Sequence, residues 1–186
     1  GRMICMTFLE LARTRQSDRA FTTQAVRRED LLTCVQAAQL APSACNSQPW
    51  KFVIIDDAAL VKQVGTMIAN NPLGINKFAE TAPVLVAVVE EPAVLMAKAQ
   101  GTVPNDRWAK FDLGSATEHF CLQAAELGLG TCIMGAFDSE AINAALDLPK
   151  DRNVFIMLAV GYPSGNTRTK VRKEVDKICS FNRYEG

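Results

Sequence analysis

Two uninterrupted apolar runs, residues 84–89 and 154–160, restrict the fold of this chain more than any other feature of its sequence. A strand with one solvent-exposed face alternates apolar and polar residues, and neither run does so. Both runs therefore predict strands that are covered on two faces, either by helices or by a second subunit. A shorter apolar run, residues 52–55, predicts another strand.

Four further segments have apolar residues at helical spacing and predict helices at residues 3–14, 28–40, 58–69 and 108–127. In the last of these the apolar residues cover more of the circumference than one sheet face needs. A helix of that kind is normally buried on more than one side. We therefore expect residues 108–127 to contact a second subunit as well as the sheet.

A narrow polar stripe along residues 108–127 carries Asp112, Ser115, His119, Gln123 and Glu126. His119 is the one histidine of the chain, and two interpretations stay open: a catalytic base, or a surface or interface residue. One histidine and six dispersed cysteines cannot supply a zinc cluster, so we expect no metal.

Length and charge exclude several classes of protein. The 186 residues, 48% of them apolar, suit a single domain over residues 1–186. Twenty Lys and Arg balance twenty Asp and Glu, which argues against nucleic-acid or membrane-surface partners and favours self-association. No apolar run is long enough to cross a bilayer, and the scattered cysteines are typical of reduced thiols. We therefore expect a cytoplasmic protein.

A polar loop between the helix ending near residue 40 and the strand at 52–55 is a candidate binding segment. Pro42 and Pro49 fix its two ends, and Ser43, Asn46 and Gln48 offer hydrogen-bonding groups between them. An ordinary connection between a helix and a strand would explain the same residues.

Two basic segments are candidates for a phosphate site. If residues 15–19 are extended, Arg15, Ser17 and Arg19 point to the same side and form a cradle of donors. A solvated charged turn is the alternative. Lys170 and Arg172 repeat the arrangement near the C-terminus. Residues 91–106 form the least regular segment, either a lid or a surface excursion.

Three motifs together resemble those of the nitroreductase family of FMN-dependent oxidoreductases. They are Pro-Ser-x-x-Asn-x-Gln-Pro-Trp from Pro42, Arg-x-Ser-x-Arg-x-Phe from Arg15, and Leu-Gly-Leu-Gly-Thr-Cys from Leu127. The resemblance implies an α+β fold with a central, mostly antiparallel sheet flanked by helices, in an intertwined homodimer. It also implies FMN as the cofactor and NADH or NADPH as the hydride donor, with no catalytic side chain because the flavin N5 carries the chemistry.

The resemblance assigns the FMN phosphate to Arg15, Ser17, Lys170 and Arg172, with a backbone contribution from Gln16. It places Arg19 and Lys77 beside the pyrimidine side of the flavin ring. The remaining contacts come from the second subunit (Pro42, Ser43, Ala44 and Asn46) and from the first (Ile133, Met134 and Gly135). Glycine at position 135 would let the backbone approach a flat ring closely.

Two positions depart from the family pattern. Gln16 stands where many members have a second Arg or a His, which leaves fewer cations near the phosphate. Met134 stands where some members have Glu, so it can act only through its backbone N–H. The implied activity is hydride transfer from NAD(P)H through flavin to a nitroaromatic, a quinone or a similar acceptor. Dehalogenation, flavin fragmentation, and flavin sequestration without turnover are the alternatives.

Overall fold

The computed structural model describes residues 6–93 and 107–185. Four strands form one sheet in the order β1-β2-β4-β3, and every neighbouring pair is antiparallel. The strands are β1 (Trp50–Ile55), β2 (Val84–Glu90), β3 (Gly130–Met134) and β4 (Asn153–Gly161). The two uninterrupted apolar runs form the two central strands, β2 and β4, as their lack of polar alternation predicts. The α+β class and the antiparallel sheet are confirmed.

Within the described residues, five α-helices surround the sheet, and three short 3-10 turns lie in the connections. The helices are α1 (Phe8–Thr14), α2 (Arg28–Gln39), α3 (Ala58–Ala69), α4 (Arg107–Glu126) and α5 (Ser139–Ala145), and the turns are Ala44–Asn46, Lys77–Thr81 and Val175–Lys177. The bounds of α3 match the predicted helix, and α2 and α4 differ from theirs by about one residue. Helix α1 begins at Phe8, later than predicted, and residues 3–5 of that prediction lie outside the described residues.

Each face of the sheet carries its own core because side chains alternate between the two faces of a strand. On one face, Val86 of β2 packs with Leu31 of α2 and Phe120 of α4. On the other face, Leu85 of β2 packs with Ile68 of α3. Helices on both faces explain why β2 is buried from Val84 to Val89.

Residues 15–21 run beside the sheet in the extended conformation that the phosphate-cradle interpretation required. Ser17 forms a parallel bridge with Thr131 of β3, and Phe21 forms an antiparallel bridge with Pro163. These two contacts fix the segment beside the edge strand β3 and the residues that follow β4. Most of the irregular segment at 91–106 lies outside the described residues, so the lid interpretation stays a prediction.

Candidate functional site

A cationic cavity of about 350 Å³ opens where the extended segment at 15–19 faces residues 168–172. Nine residues line it, and five of them are cationic: Arg15, Arg19, Arg168, Lys170 and Arg172. Gln16 and Ser17 also line it. The structure therefore brings together six of the residues that the sequence pointed to, from segments about 150 residues apart. Arg168 is a seventh polar member that the sequence analysis missed.

Several cavity cations are held by contacts within the chain. Arg15 forms an ion pair with Glu118 of α4, with Nε 3.3 Å from Oε1. Lys170 donates through Nζ to the backbone oxygen of Arg13 in the last turn of α1. Arg168 donates to the backbone oxygen of Ser17. These contacts hold the side chains of Arg15, Lys170 and Arg168 around the same cavity.

The electrostatics of the cavity favour an anion. Burial lowers the pKa of Lys170 below its ordinary value, and the positive charges of Arg15 and Arg172 lower it further, while Asp18 acts weakly in the opposite direction. The part of the shift that Arg15 and Arg172 cause reflects an excess of positive charge around this group. A bound anion would relieve that excess, so the donor set fits a phosphate.

The polar loop after α2 has a backbone conformation that few residues adopt without support. Cys45, Asn46 and Gln48 all have positive φ, between 48° and 52°. The Ser43 hydroxyl accepts a hydrogen bond from the Gln48 N–H at 3.0 Å. The Asp112 carboxylate of α4 accepts one from the Ala44 N–H, also at 3.0 Å. The loop is therefore held in its shape from outside as well as by its own contacts.

Asp112 is the residue that the sequence analysis placed wrongly. We assigned it to the polar stripe of α4, yet it is 3% exposed. The signal was present in the helical spacing, because residues four and eight positions later are Ala116 and Phe120, both fully buried. A carboxylate on the buried face of a helix needs a partner, and the Ala44 N–H provides it.

Lys77 and the end of β3 are brought together by Asn76. The Asn76 side chain donates to the backbone oxygen of Ala136 at 3.1 Å, and its positive φ of 66° starts the 3-10 turn that carries Lys77. Lys77 itself is exposed. Asparagine tolerates this left-handed conformation better than most residues do. Asn76 thus links the turn that carries Lys77 to the segment that follows β3.

The three residues at the end of β3 differ in what they offer a ligand. Ile133 is 43% exposed, whereas the Met134 side chain is buried in the core against α3 and α5. A Cβ added to Gly135 would come no closer than 3.7 Å to Ile156, an ordinary contact. The packing of the chain therefore does not require glycine at 135, and the bare backbone is free for close approach of a flat ring.

Pro42, Ser43, Ala44 and Asn46 are absent from the lining of the cationic cavity, as far as the described residues show. Pro42 instead lines a groove of about 650 Å³ along the outer face of α4, with Phe8, Leu122 and His119. His119 is exposed, and its Nδ1 lies 2.9 Å from the Ser115 oxygen, which requires a proton on Nδ1. Its position in this groove supports the interpretation as a surface or interface residue.

The described residues contain no helix long and apolar enough to cross a membrane. Nor do they contain a group of three or more His, Cys, Asp or Glu side chains that could hold a metal ion.

A four-stranded antiparallel sheet with helices on both faces, and a cavity lined by five cations beside its edge strand, define an α+β protein with a candidate anion site. The chain belongs to the nitroreductase family, whose family model matches residues 12–162. The resemblance seen in the three motifs is thereby confirmed.

Proteins similar to this chain carry several activities in their names. A putative NADH dehydrogenase/NAD(P)H nitroreductase of Archaeoglobus fulgidus is 29% identical, over 83% of this chain and 84% of that protein. An iodotyrosine deiodinase of Thermotoga neapolitana is 25% identical, over 94% of this chain and 97% of that protein. The structure of a BluB-like flavoprotein from Clostridium difficile 630 matches with a TM-score of 0.79 and 26% identity, over 96% of this chain and 100% of that one.

Proposed function

We propose that this protein is an FMN-dependent oxidoreductase that takes hydride from NADH or NADPH and reduces a nitroaromatic, a quinone or a similar acceptor. The observation that carries the proposal is the convergence of Arg15, Ser17, Lys170 and Arg172 on one cavity. A phosphomonoester has about −1.5 to −2 charges at neutral pH and three acceptor oxygens. Forked guanidinium donors and a hydroxyl suit such a group.

The residues around the cavity have separate tasks in this proposal. The cations and the Ser17 hydroxyl hold the phosphate, while Arg19 and Lys77 place positive charge beside the pyrimidine side of the ring. The ring approaches Ile133, Met134 and Gly135, where the glycine leaves the backbone uncovered. FMN, when bound, accepts hydride at N5 and passes the electrons on. Orientation and electrostatics are then the protein's contributions to the reaction.

The proposed active unit is an intertwined homodimer of single-domain subunits, each spanning residues 1–186. The second subunit supplies Pro42, Ser43, Ala44 and Asn46 to each site, consistent with their absence from the lining of the cationic cavity in one subunit. Large apolar side chains lie exposed along that face and along the C-terminal segment. Among them are Phe8, Leu40, Phe111, Val175, Phe181 and Tyr184. Covering them requires an apolar interface, which in obligate dimers exceeds about 2,000 Å².

Reductive dehalogenation is a second candidate, because one similar protein is named an iodotyrosine deiodinase. Flavin fragmentation and flavin sequestration without turnover are further alternatives within the same site. None of these functions involves a nucleic acid or a membrane, and we place the protein in the cytoplasm.

The colour of the purified protein tests the proposal directly. We expect yellow protein, or protein that becomes yellow with added FMN, and anaerobic bleaching by NADH or NADPH. Reoxidation by a nitroaromatic or a quinone, but not by a halotyrosine, would separate nitroreduction from dehalogenation. Colourless protein that takes up no FMN would overturn every flavin function. Yellow protein that neither nicotinamide bleaches would indicate a flavin-sequestering protein.

A further inference from the structure

Gln16 lines the cationic cavity, but its side chain is already engaged elsewhere in the fold. Its Nε2 donates to Asp18 Oδ1 at 2.8 Å and to the backbone oxygen of Asn166 at 3.3 Å. Its Oε1 accepts from the backbone N–H of Arg168 at 3.0 Å. One side chain thus joins the extended segment at 15–19 to residues 166–168, about 150 positions later in the sequence.

The charge of Asp18 fixes the orientation of this amide. An ionised carboxylate has only acceptor oxygens, so the amide nitrogen of Gln16 must face Asp18. The amide oxygen is then left facing the Arg168 N–H, which is a donor. A side chain of equal length without these groups, such as methionine, would lose all three hydrogen bonds and keep the volume.

Asp18 is itself held firmly against β3. It is 8% exposed, and its backbone N–H donates to the Thr131 oxygen at 2.8 Å. A Cβ on Gly130 would lie only 2.5 Å from Asp18 Oδ2, so the glycine makes room for the carboxylate. Gln16 is therefore anchored to the sheet through Asp18.

Gln16 holds a segment whose other hydrogen bonds to the described chain are donated by Ser164, Arg168 and Lys170 to backbone oxygens of residues 13–20. Residues 164–185, which we call the arm, contain one short 3-10 turn, and nearly all of them are exposed. The arm brings Arg168, Lys170 and Arg172 to the cavity. The position of the arm's backbone at residues 166–168 determines whether these three cations reach the cavity that Arg15 lines.

We propose that Gln16 and Asp18 form a latch that holds the arm against the cavity, and that Arg168 is an additional anion-binding residue placed there by the latch. Gln16 then acts as a positioning residue for the phosphate site, and Arg168 supplies the cation that position 16 lacks. The identity of the anion as FMN rests on the proposed function, whereas the latch itself can be tested with inorganic pyrophosphate.

The test compares Gln16→Met with Gln63→Met, which makes the same change at an exposed position of α3. We expect about tenfold weaker binding of both FMN and pyrophosphate by Gln16→Met, the effect of losing roughly 1.4 kcal/mol. Trypsin should cleave Gln16→Met after Arg168, Lys170 and Arg172 faster than the wild type, and pyrophosphate should protect it less. Gln63→Met should match the wild type in all three measurements.

Arg168→Met tests the second half of the proposal at an exposed position. FMN and pyrophosphate should bind about tenfold more weakly, and riboflavin as in the wild type. Unchanged anion binding by Arg168→Met would overturn its assignment. Unchanged trypsin cleavage and anion binding by Gln16→Met would overturn the latch. Wild-type protein that binds pyrophosphate but not FMN would refute the proposed function and leave the latch to be decided by these variants.

Discussion

The buried carboxylate of Asp112 accepts a hydrogen bond from the backbone N–H of Ala44 at 3.0 Å. This bond ties the longest helix, α4, to a loop in which three residues have left-handed backbone conformations. Such conformations are costly for residues other than glycine and persist only where the surrounding structure imposes them. Asp112 is part of what imposes them here. The shape of the loop therefore depends in part on a residue 68 positions away in the sequence.

Two substitutions of Asp112 distinguish the role of its acceptor oxygen from the role of its negative charge. Asp112→Ala leaves the Ala44 N–H without its acceptor, which we expect to cost about 1–3 kcal/mol in the free energy of unfolding. FMN should also bind more weakly, because Ala44 and Asn46 are proposed ring contacts. Asp112→Asn keeps an acceptor oxygen and should recover most of both losses. Denaturant unfolding and FMN titration measure the two effects, and equal losses in both variants would contradict the hydrogen-bonding role.

Comparison of FMN with riboflavin tests whether Arg15 and Arg172 bind the phosphate. Arg15→Ala and Arg172→Ala should each lose a charge-assisted hydrogen bond, at a cost of about 1.5–3 kcal/mol in FMN affinity. Riboflavin has no phosphate, so its weaker binding should hardly change in either variant. Fluorescence titration with both flavins measures the difference. Equal losses for FMN and riboflavin would show that the arginines act on the fold.

Two glycines near β3 should respond differently to the same substitution. A Cβ at Gly130 would collide with the buried Asp18 carboxylate, so Gly130→Ala should lower the free energy of unfolding by about 1–3 kcal/mol. A Cβ at Gly135 meets only Ile156 at 3.7 Å, so Gly135→Ala should fold normally and bind FMN more weakly. Thermal unfolding with FMN titration distinguishes them. Normal FMN affinity in Gly135→Ala would argue against close approach of the ring there.

Glu118 gives the stability of the protein a specific dependence on pH. Burial raises its pKa above the ordinary value of 4.5, with smaller opposing contributions from Arg15 and His119. The folded state then binds the proton more tightly than the unfolded state does, so the stability due to Glu118 falls as the pH rises through its folded pKa. Glu118→Gln cannot titrate at this position. Relative to the wild type, the free energy of unfolding of this variant should therefore increase as the pH rises above about 4.5. A difference that stays constant or reverses over this range would mean that the ion pair with Arg15 outweighs burial.

The shared-site dimer predicts that assembly and cofactor binding depend on protein concentration together. Dilution should release FMN and produce monomers over the same range, because each site needs the loop of the second subunit. Light scattering combined with flavin absorbance follows both changes in one sample. A monomer of about 20 kDa that keeps its FMN would refute the shared site.

The sequence by itself determined the elements of the fold and many of the cavity residues. Apolar runs without alternation identify β2 and β4, and helical spacing identifies α2, α3 and α4, because these patterns are local consequences of backbone geometry. The basic residues at 15–19 and at 170–172 could be paired through the family motifs. The sequence could not show which side chains hold these segments in place.

The tertiary structure decided three roles that depend on residues far apart in the chain. Asp112 fell on a polar stripe by spacing, yet packing buries it against the Ala44 N–H. By the family pattern, Gln16 stands where many members have a cation. In the folded chain its amide instead forms hydrogen bonds with Asp18 and the arm. Arg168 belonged to no motif and reaches the cavity only because the arm returns past the edge strand. Such hydrogen bonds depend on the path of the whole backbone, which no local pattern records.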